Sequence, residues 1–364
     1  MPGKIETITI EGFLSIRSAT VELRDLNLLI GANGSGKSNF VSALELLGRI
    51  VDQDLGLYVG RRGGASALLH RGAEPADRIV LDLEFPPNGY RAALVSAAGD
   101  ELVFGKEQIR FQGTLRPDPW VDGLGSGHRE TRLDQAAADG QAVAASVVAG
   151  LRGCRVFHFH DTSASAPVKR RVDPADNRTL AGDARNLAPF LRRIRDEHPS
   201  DYQRIRSVIG QVAPFFRDFV LEDEHRTMLL RWRQVGVDGD FGADALSDGT
   251  LRFICLATLL LQPEPPPLVV LDEPELGLHP YAIGVLADLL RSASSRCQIV
   301  AATQSVSLIN QFGVEDLIIV ERGDDGSAFV RHSEEDLAAW LEDFSAGDLW
   351  EKNLLGGRPK REHG

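Results

Sequence analysis

The chain has 364 residues, with 40 Lys and Arg against 52 Asp and Glu and a formal charge of −12. At 43% hydrophobic and 25% charged residues it can bury a sizeable core, which sets aside disordered, collagen-like and coiled-coil classes and suits two domains or one large α/β unit with an insertion. No apolar run reaches the roughly 18 residues that cross a bilayer, the first ten residues alternate like a strand and not like a signal peptide, and Cys154, Cys255 and Cys297 fit neither a disulfide framework nor a zinc site, so a cytosolic protein with buried thiols and no membrane partner is expected.

In chain order, residues 5–10, 20–23 and 26–30 read as strands, and 39–50 as a helix with Phe40, Val41, Leu44 and Leu47 at helical spacing. Residues 78–85 place Ile79, Leu81, Leu83 and Phe85 on one strand face, and 101–111 read as a hairpin centred on Gly105-Lys106. The stretch 114–140, rich in Gly, Pro, Asp and Ser, is the best candidate linker. A helical middle follows at 133–151 and 186–209, interrupted near Pro199, then strands at 218–221 and 228–232. Residues 250–261 suit a buried helix, the prolines of 263–267 break it, and 268–271 suit a central parallel strand, with a helix at 282–293 and a strand at 298–302 to follow. Charge is uneven along this order: −4 for residues 1–150, +5 for 151–233 and −13 for 234–364. An acidic whole with a basic middle argues against a surface-wide nucleic-acid glove and leaves room for a local anion-binding face.

The first chemically decisive string is Gly31-Ala32-Asn33-Gly34-Ser35-Gly36-Lys37-Ser38, followed by Asn39, between a strand and a helix. It fits the phosphate-binding loop pattern, in which glycines let successive backbone N–H groups and a helix N-terminus face the phosphates. Lys37 is expected to reach the β and γ phosphates and Ser38 to ligate Mg²⁺. The second string ends an apolar strand in Asp272-Glu273-Pro274, where open α/β sheets place their ligands. Asp272 suits the metal, and Glu273 suits deprotonation of an attacking water.

A third string, Leu246-Ser247-Asp248-Gly249-Thr250 before an apolar helix, resembles the signature of ABC-type ATPases, in which a Ser hydroxyl, a Gly backbone and a helix N-terminus meet the γ-phosphate bound by a second subunit. Gly277-Leu278-His279-Pro280 resembles the D-loop of that class, and Ala302-Thr303-Gln304-Ser305 its switch strand. Gln304 stands where that class commonly has a His; its amide can hydrogen-bond phosphate or water but does not titrate near neutral pH.

Together these strings look like the RecF/SMC/OLD branch of ABC-type ATPases, in particular its short stand-alone members. The strings 156–163 and 183–187 resemble further recurring segments of those ATPases. The resemblance implies a P-loop ATPase head of α/β class, a mixed sheet core flanked by helices, with a compact helical insertion: a lobe at 1–120, a linker and insertion at 121–213, and a lobe at 214–364, the lobes joining into one head. It implies ATP and Mg²⁺ as cofactors, an ATP-dependent head-to-head homodimer, Glu273, Lys37 and Gln304 as catalytic residues, and work in DNA repair or in defence against phage and plasmids. The stretch between Ser38 and Ser247 is too long for a transporter ATPase and too short for SMC arms, and the residues after Ser305 are too few for the nuclease domain of an OLD enzyme. A separately encoded effector, a nuclease or toxin, is therefore the alternative partner.

Two patterns in the middle admit two readings each. His158, His160 and Asp161 offer metal ligands at alternating strand positions, but two histidines on one strand face more often satisfy local hydrogen bonds, and 161–163 could instead be a contact beside the nucleotide. Lys169, Arg170, Arg171, Arg192, Arg193, Arg195, Arg204 and Arg206 are the best candidates for DNA or an acidic partner, against the alternative of a solvated helical face.

Overall fold

The computed structural model describes residues 4–71, 76–113, 119–152, 154–223 and 226–356. Chain order begins with β1 (Thr7–Phe13), β2 (Ile16–Glu22) and β3 (Leu26–Ile30), then the helix Lys37–Val51. Next come β4 (Arg78–Phe85), β5 (Asn88–Ala97), β6 (Glu101–Phe111) and β7 (Trp120–Gly125), the helices Leu133–Ala138 and Ala142–Leu151, and β8 (Arg155–Phe157). The helices Leu187–Glu197 and Pro199–Val212 lead to β9 (Phe216–Val220), β10 (Arg231–Gln234) and β11 (Asp240–Gly242). The helix Asp248–Leu261, β12 (Leu268–Asp272), the helix Pro280–Ser294, β13 (Gln298–Thr303), β14 (Leu317–Gly323) and β15 (Gly326–Val330) follow, and short helices Glu334–Leu341 and Ala346–Glu351 come last.

These strands build a six-stranded antiparallel sheet in the order β2-β1-β4-β5-β6-β7, a small sheet β11-β10-β9, and a six-stranded sheet β15-β14-β3-β13-β12-β8. In the last, β14, β3, β13, β12 and β8 run parallel and β15 is antiparallel at the edge. Strands from the start, middle and end of the chain thus share one sheet, with β3 at its centre. Both faces are covered, which is why its strands are apolar throughout. Leu28, Val269, Leu271, Ile299 and Ala301 pack with the helices Leu187–Glu197, Asp248–Leu261 and Pro280–Ser294. Leu29, Val270, Val300 and Ile318 face the other way, into a core shared with Phe40, Leu44 and Leu47 of the helix Lys37–Val51 and with the antiparallel sheet. Among the described residues no helix is long and apolar enough to cross a membrane.

Several local expectations are corrected. Residues 101–111 are not a hairpin: β6 is one strand, and its hairpin partner is β5, with the turn at Gly99 and Asp100 (φ 82° and 58°). Gly105 marks an irregularity in that ladder, where an added Cβ would lie 2.9 Å from Val95 Cγ1, so glycine serves a close approach and not a turn. In the expected linker 114–140, residues 114–118 lie outside the described residues, but β7 pairs with β6 and the following loop is pinned to a buried carboxylate. Glu107 accepts from Tyr90 Oη at 2.8 Å, from the Arg132 N–H at 3.1 Å and from the Thr131 hydroxyl, and pairs with His128 Nε2 at 2.8 Å. The middle of the chain, expected to be helical with a strand carrying His158 and His160, ends that strand earlier: β8 covers only Arg155–Phe157, pairing with β12 at the edge of the parallel sheet, and both histidines follow it. Its helices break at Gly140 (φ 92°) and at Pro199, which opens the second helix of its pair.

Candidate functional site

The loop after β3 turns into the helix Lys37–Val51 with Gly34 and Gly36 at φ 78° and 117°. A Cβ on Gly36 would lie 2.0 Å from Ser327 Oγ, while one on Gly34 would meet nothing within 4 Å. Gly36 is therefore a packing requirement, and Gly34 faces open space. The Ser327 hydroxyl of β15 donates to the Ser35 carbonyl at 2.6 Å and shares a hydrogen bond with Ser15 at 2.7 Å, which fixes the underside of the loop. Asn39 Nδ2 donates to Ser15 Oγ at 2.6 Å, and Ser38 is exposed.

Lys37 is 6% exposed and its Nζ donates to the carbonyls of Gly31 at 2.6 Å and Ala32 at 3.0 Å. Among the described residues it makes no ion pair. Burial lowers its pKa below the ordinary lysine value, against the upward pull of Glu273, Asp272 and Glu275. Among the described residues the buried Ser35 Oγ has no partner, and the first turn of the helix holds no acidic residue. A buried cation without an anion, an unpaired hydroxyl and a free positive helix end fit a phosphate chain.

The carboxylates stand at the C-terminal end of β12. Burial raises the pKa of Asp272; Glu273 adds to that, while His158, His160 and Lys37 oppose it. Glu273 sits at φ 43°, an uncommon value for a residue with a Cβ, with its N–H bonded to the Ala302 carbonyl at 2.7 Å. Gln304, at the end of β13, donates its amide to Glu273 Oε1 at 2.8 Å. The hydroxyl of Ser38 and the carboxylate of Asp272 are oxygen donors of the hard type that suits Mg²⁺. Sequence reasoning did not weigh Glu275: it is buried, accepts from the Thr303 hydroxyl, and leaves Oε2 without a partner, and burial raises its pKa. The only signal for it was a second acid two residues past Glu273.

Ser247, Asp248 and Gly249 lie elsewhere, against the candidate D-loop. Ser247 caps its helix by accepting from the Thr250 N–H at 3.2 Å, and a Cβ on Gly249 would lie 2.4 Å from the Gly277 carbonyl. Arg252 of the same helix donates to the carbonyls of Leu276 at 2.7 Å, His160 at 2.8 Å and Phe159 at 3.2 Å, tying this corner to the end of the β8 segment. Leu276 and Tyr281 remain 45% and 58% exposed beside it. His279 is exposed and accepts from the Tyr281 N–H at 3.3 Å.

The His158 and His160 rings lie 6.1 Å apart and act electrostatically on Asp272, but among the described residues no three His, Cys, Asp or Glu side chains form a metal-holding group. Asp161 accepts from the Ser163 N–H and hydroxyl in a local turn. Of the basic run, Lys169 pairs with Asp244 at 3.4 Å, Arg193 with Glu197 at 2.8 Å, Arg195 with Asp196 at 2.9 Å, Arg206 with Asp218 at 3.1 Å, and Arg192 with Asp223. Arg170 donates to the Ser165 carbonyl and Arg204 to Ser292 Oγ.

Residues 26–310 match a family model described as "AAA domain, putative AbiEii toxin, Type IV TA system". Among solved structures the chain is similar to an SMC head bound to the C-winged helix domain of ScpA, at 17% identity over 92% of this chain and 99% of that one, with a TM-score of 0.60. It is also similar to an SMC head domain with an extended coiled coil, bound to the C-terminal domain of ScpA and derived from Pyrococcus furiosus, at 18% identity over 93% and 99% with a TM-score of 0.55. No curated protein matches. The structural likeness shows the P-loop fold of the ABC-type ATPase head, in agreement with the RecF/SMC/OLD-like resemblance of the motifs, and the family match over most of the chain shows that it belongs to this AAA-domain ATPase family.

Proposed function

We propose that the chain is an ATP-hydrolysing switch of the cytosol, its segments 1–120 and 214–364 working as one head around 121–213. The observation that carries this reading is Lys37, a buried cation with no ion pair among the described residues, facing Asp272, Glu273 and Glu275 at one end of the parallel sheet. The loop 31–39 would hold the phosphates through its N–H groups, with Lys37 shifting from its carbonyl partners to the β and γ oxygens. Ser38 and Asp272 would hold Mg²⁺, which supplies charge neutralisation at the phosphates when bound. Glu273, whose carboxylate accepts from the Gln304 amide, would take the proton of the attacking water.

Ser247 and Gly249 share no hydrogen bond with Lys37, and in this reading a second copy would present them to the γ-phosphate. The exposed Leu276 and Tyr281 flanking the D-loop suit burial in such a homodimer. The test is Glu273→Gln. ATP turnover is expected to fall about 100-fold or more, while ATP-dependent dimerisation, followed by light scattering, persists; unchanged turnover would remove Glu273 from the chemistry.

Two outputs of the switch compete: DNA repair or defence through DNA held by 169–206, and control of a separately encoded effector protein. The internal ion pairs of that basic run favour the effector. The family description, which names a toxin–antitoxin system, fits an ATPase with a partner, as do the SMC heads solved with bound ScpA domains. Co-purification of a partner with the Glu273→Gln chain supports this reading, and salt-sensitive stimulation of ATPase activity by DNA supports the other.

A further inference from the structure

A cavity of 380 Å³ lies away from the P-loop. Pro263 and Pro266, which precede β12, line it together with Asp52, which follows the helix Lys37–Val51, and Arg155, which opens β8. It is therefore at the N-terminal ends of the parallel strands, opposite the edge that carries Lys37, Asp272 and Glu273. Its volume is in the range of small-molecule sites. Phe157, Phe190 and Ile194 give it apolar walls, and Arg152, Arg155, Arg178 and Arg193 outnumber the lining acids Asp52 and Glu264.

The arginines differ in how they are held. Arg152 is paired with Asp134 at 2.6 Å, and Arg193 is fixed by Glu197 at 2.8 Å and by donation to the Arg178 carbonyl at 2.7 Å. Arg155 reaches Asp52 only at 4.0 Å, and among the described residues the Arg178 guanidinium has no hydrogen bond or ion pair. Arg178 is exposed, so its guanidinium stands in water at the edge of a concave, apolar-walled site and can turn to an anion without breaking a bond in the fold. Guanidinium forks match phosphate oxygens, and aromatic walls suit a planar ring.

We propose that this cavity binds a small organic anion of the nucleoside monophosphate class, its phosphate on Arg155 and Arg178 and its base against Phe157 and Phe190. The helix Lys37–Val51 runs from the phosphate loop to the cavity rim, and β8 runs from Arg155 toward His158 beside Asp272, so the occupant sits on elements shared with the ATP site. The binding step itself does not depend on ATP hydrolysis.

The test is calorimetric titration of the full chain with adenosine monophosphate, guanosine monophosphate and inorganic phosphate. Either mononucleotide is expected to bind with a sub-millimolar dissociation constant and inorganic phosphate more weakly. Arg178→Glu is expected to weaken mononucleotide binding tenfold or more with an unchanged melting temperature, since that side chain holds nothing in the fold. Arg155→Gln should weaken it in the same sense, and Lys37→Ala should leave it intact. Absence of mononucleotide binding would overturn the proposal. So would binding lost in Lys37→Ala but kept in Arg178→Glu, which would place the ligand in the P-loop, and phosphate binding as tight as that of the nucleotides, which would remove the base from recognition.

Discussion

The C-terminal edge of the parallel sheet and the basic run 169–206 are both dense in charge, yet their bonding is opposite. In the basic run, side chain after side chain meets an acid or a carbonyl: Lys169 with Asp244, Arg193 with Glu197, Arg206 with Asp218. At the sheet edge, among the described residues, Lys37 bonds only to backbone carbonyls, Ser35 Oγ and Glu275 Oε2 have no partner, and Glu273 is held at a positive φ. Buried polar atoms without partners cost stability and persist where another molecule is to complete them. Density of charge alone thus does not mark a site; what sets the sheet edge apart is that a buried ammonium without an ion pair and the unpaired atoms of Ser35 and Glu275 occur together there.

The comparison breaks most readily at Lys37. If the buried ammonium is kept for phosphate, Lys37→Ala lowers ATP affinity by about 100-fold, or about 2.7 kcal/mol, measured by calorimetry; retained affinity would mean that phosphates bind elsewhere. Next comes the loop that positions it. Gly36→Ala forces a Cβ onto Ser327 Oγ at φ 117° and is expected to cost about 2 kcal/mol in urea unfolding, whereas Gly34→Ala, at φ 78° in open space, costs about 1 kcal/mol. Equal losses would show that the contact with β15 does not hold the loop.

A smaller effect, of opposite sign, is expected for Asp272→Asn. Burial raises the Asp272 pKa above its ordinary 3.8, so the folded chain holds this proton more tightly than the unfolded chain does. The penalty for ionisation is absent below the ordinary carboxylate range and grows as pH rises through the folded value. Without nucleotide or metal, Asp272→Asn should therefore melt above the wild type at pH 7, with the gap closing as pH falls toward 4. A variant less stable at pH 7 would mean that the charged carboxylate is satisfied within the fold.

How much of this was legible in the sequence follows from the range of the contacts involved. The phosphate loop, the strand 26–30 with its following helix, and the strand that ends in Asp272 are contiguous strings with local periodicity, and they stand where the pattern puts them. Contacts between distant segments were not legible. Ser327 beneath Gly36, Thr303 on Glu275 and Gln304 on Glu273 join residues from strands that meet only in the folded sheet. The same reason explains the false hairpin at Gly105: glycine there answers Val95 on the neighbouring strand, which one-dimensional spacing cannot show. Part of the pairing within the basic run was hidden in the same way, because two of its acids lie far along the chain, Asp244 for Lys169 and Asp223 for Arg192, whereas Glu197 and Asp196 stand beside their arginines in sequence.

Arg206 gives the smallest expected effect and separates the two outputs of the switch. Its guanidinium pairs with Asp218 Oδ2 at 3.1 Å, but Asp218 Oδ1 also accepts from Tyr202 Oη at 2.7 Å and from the Phe219 N–H at 2.9 Å. Removing the arginine leaves that carboxylate bonded, so Arg206→Ala is expected to shift stability by less than about 0.5 kcal/mol. If this side chain serves the fold and the effector reading holds, ATP turnover with added DNA is also unchanged. If it tracks a phosphate, the variant loses DNA stimulation, and the slope of log affinity against log salt falls by about one. The second outcome, at unchanged stability, would turn the internally paired run into a DNA-binding face whose ion pairs exchange for phosphates on binding.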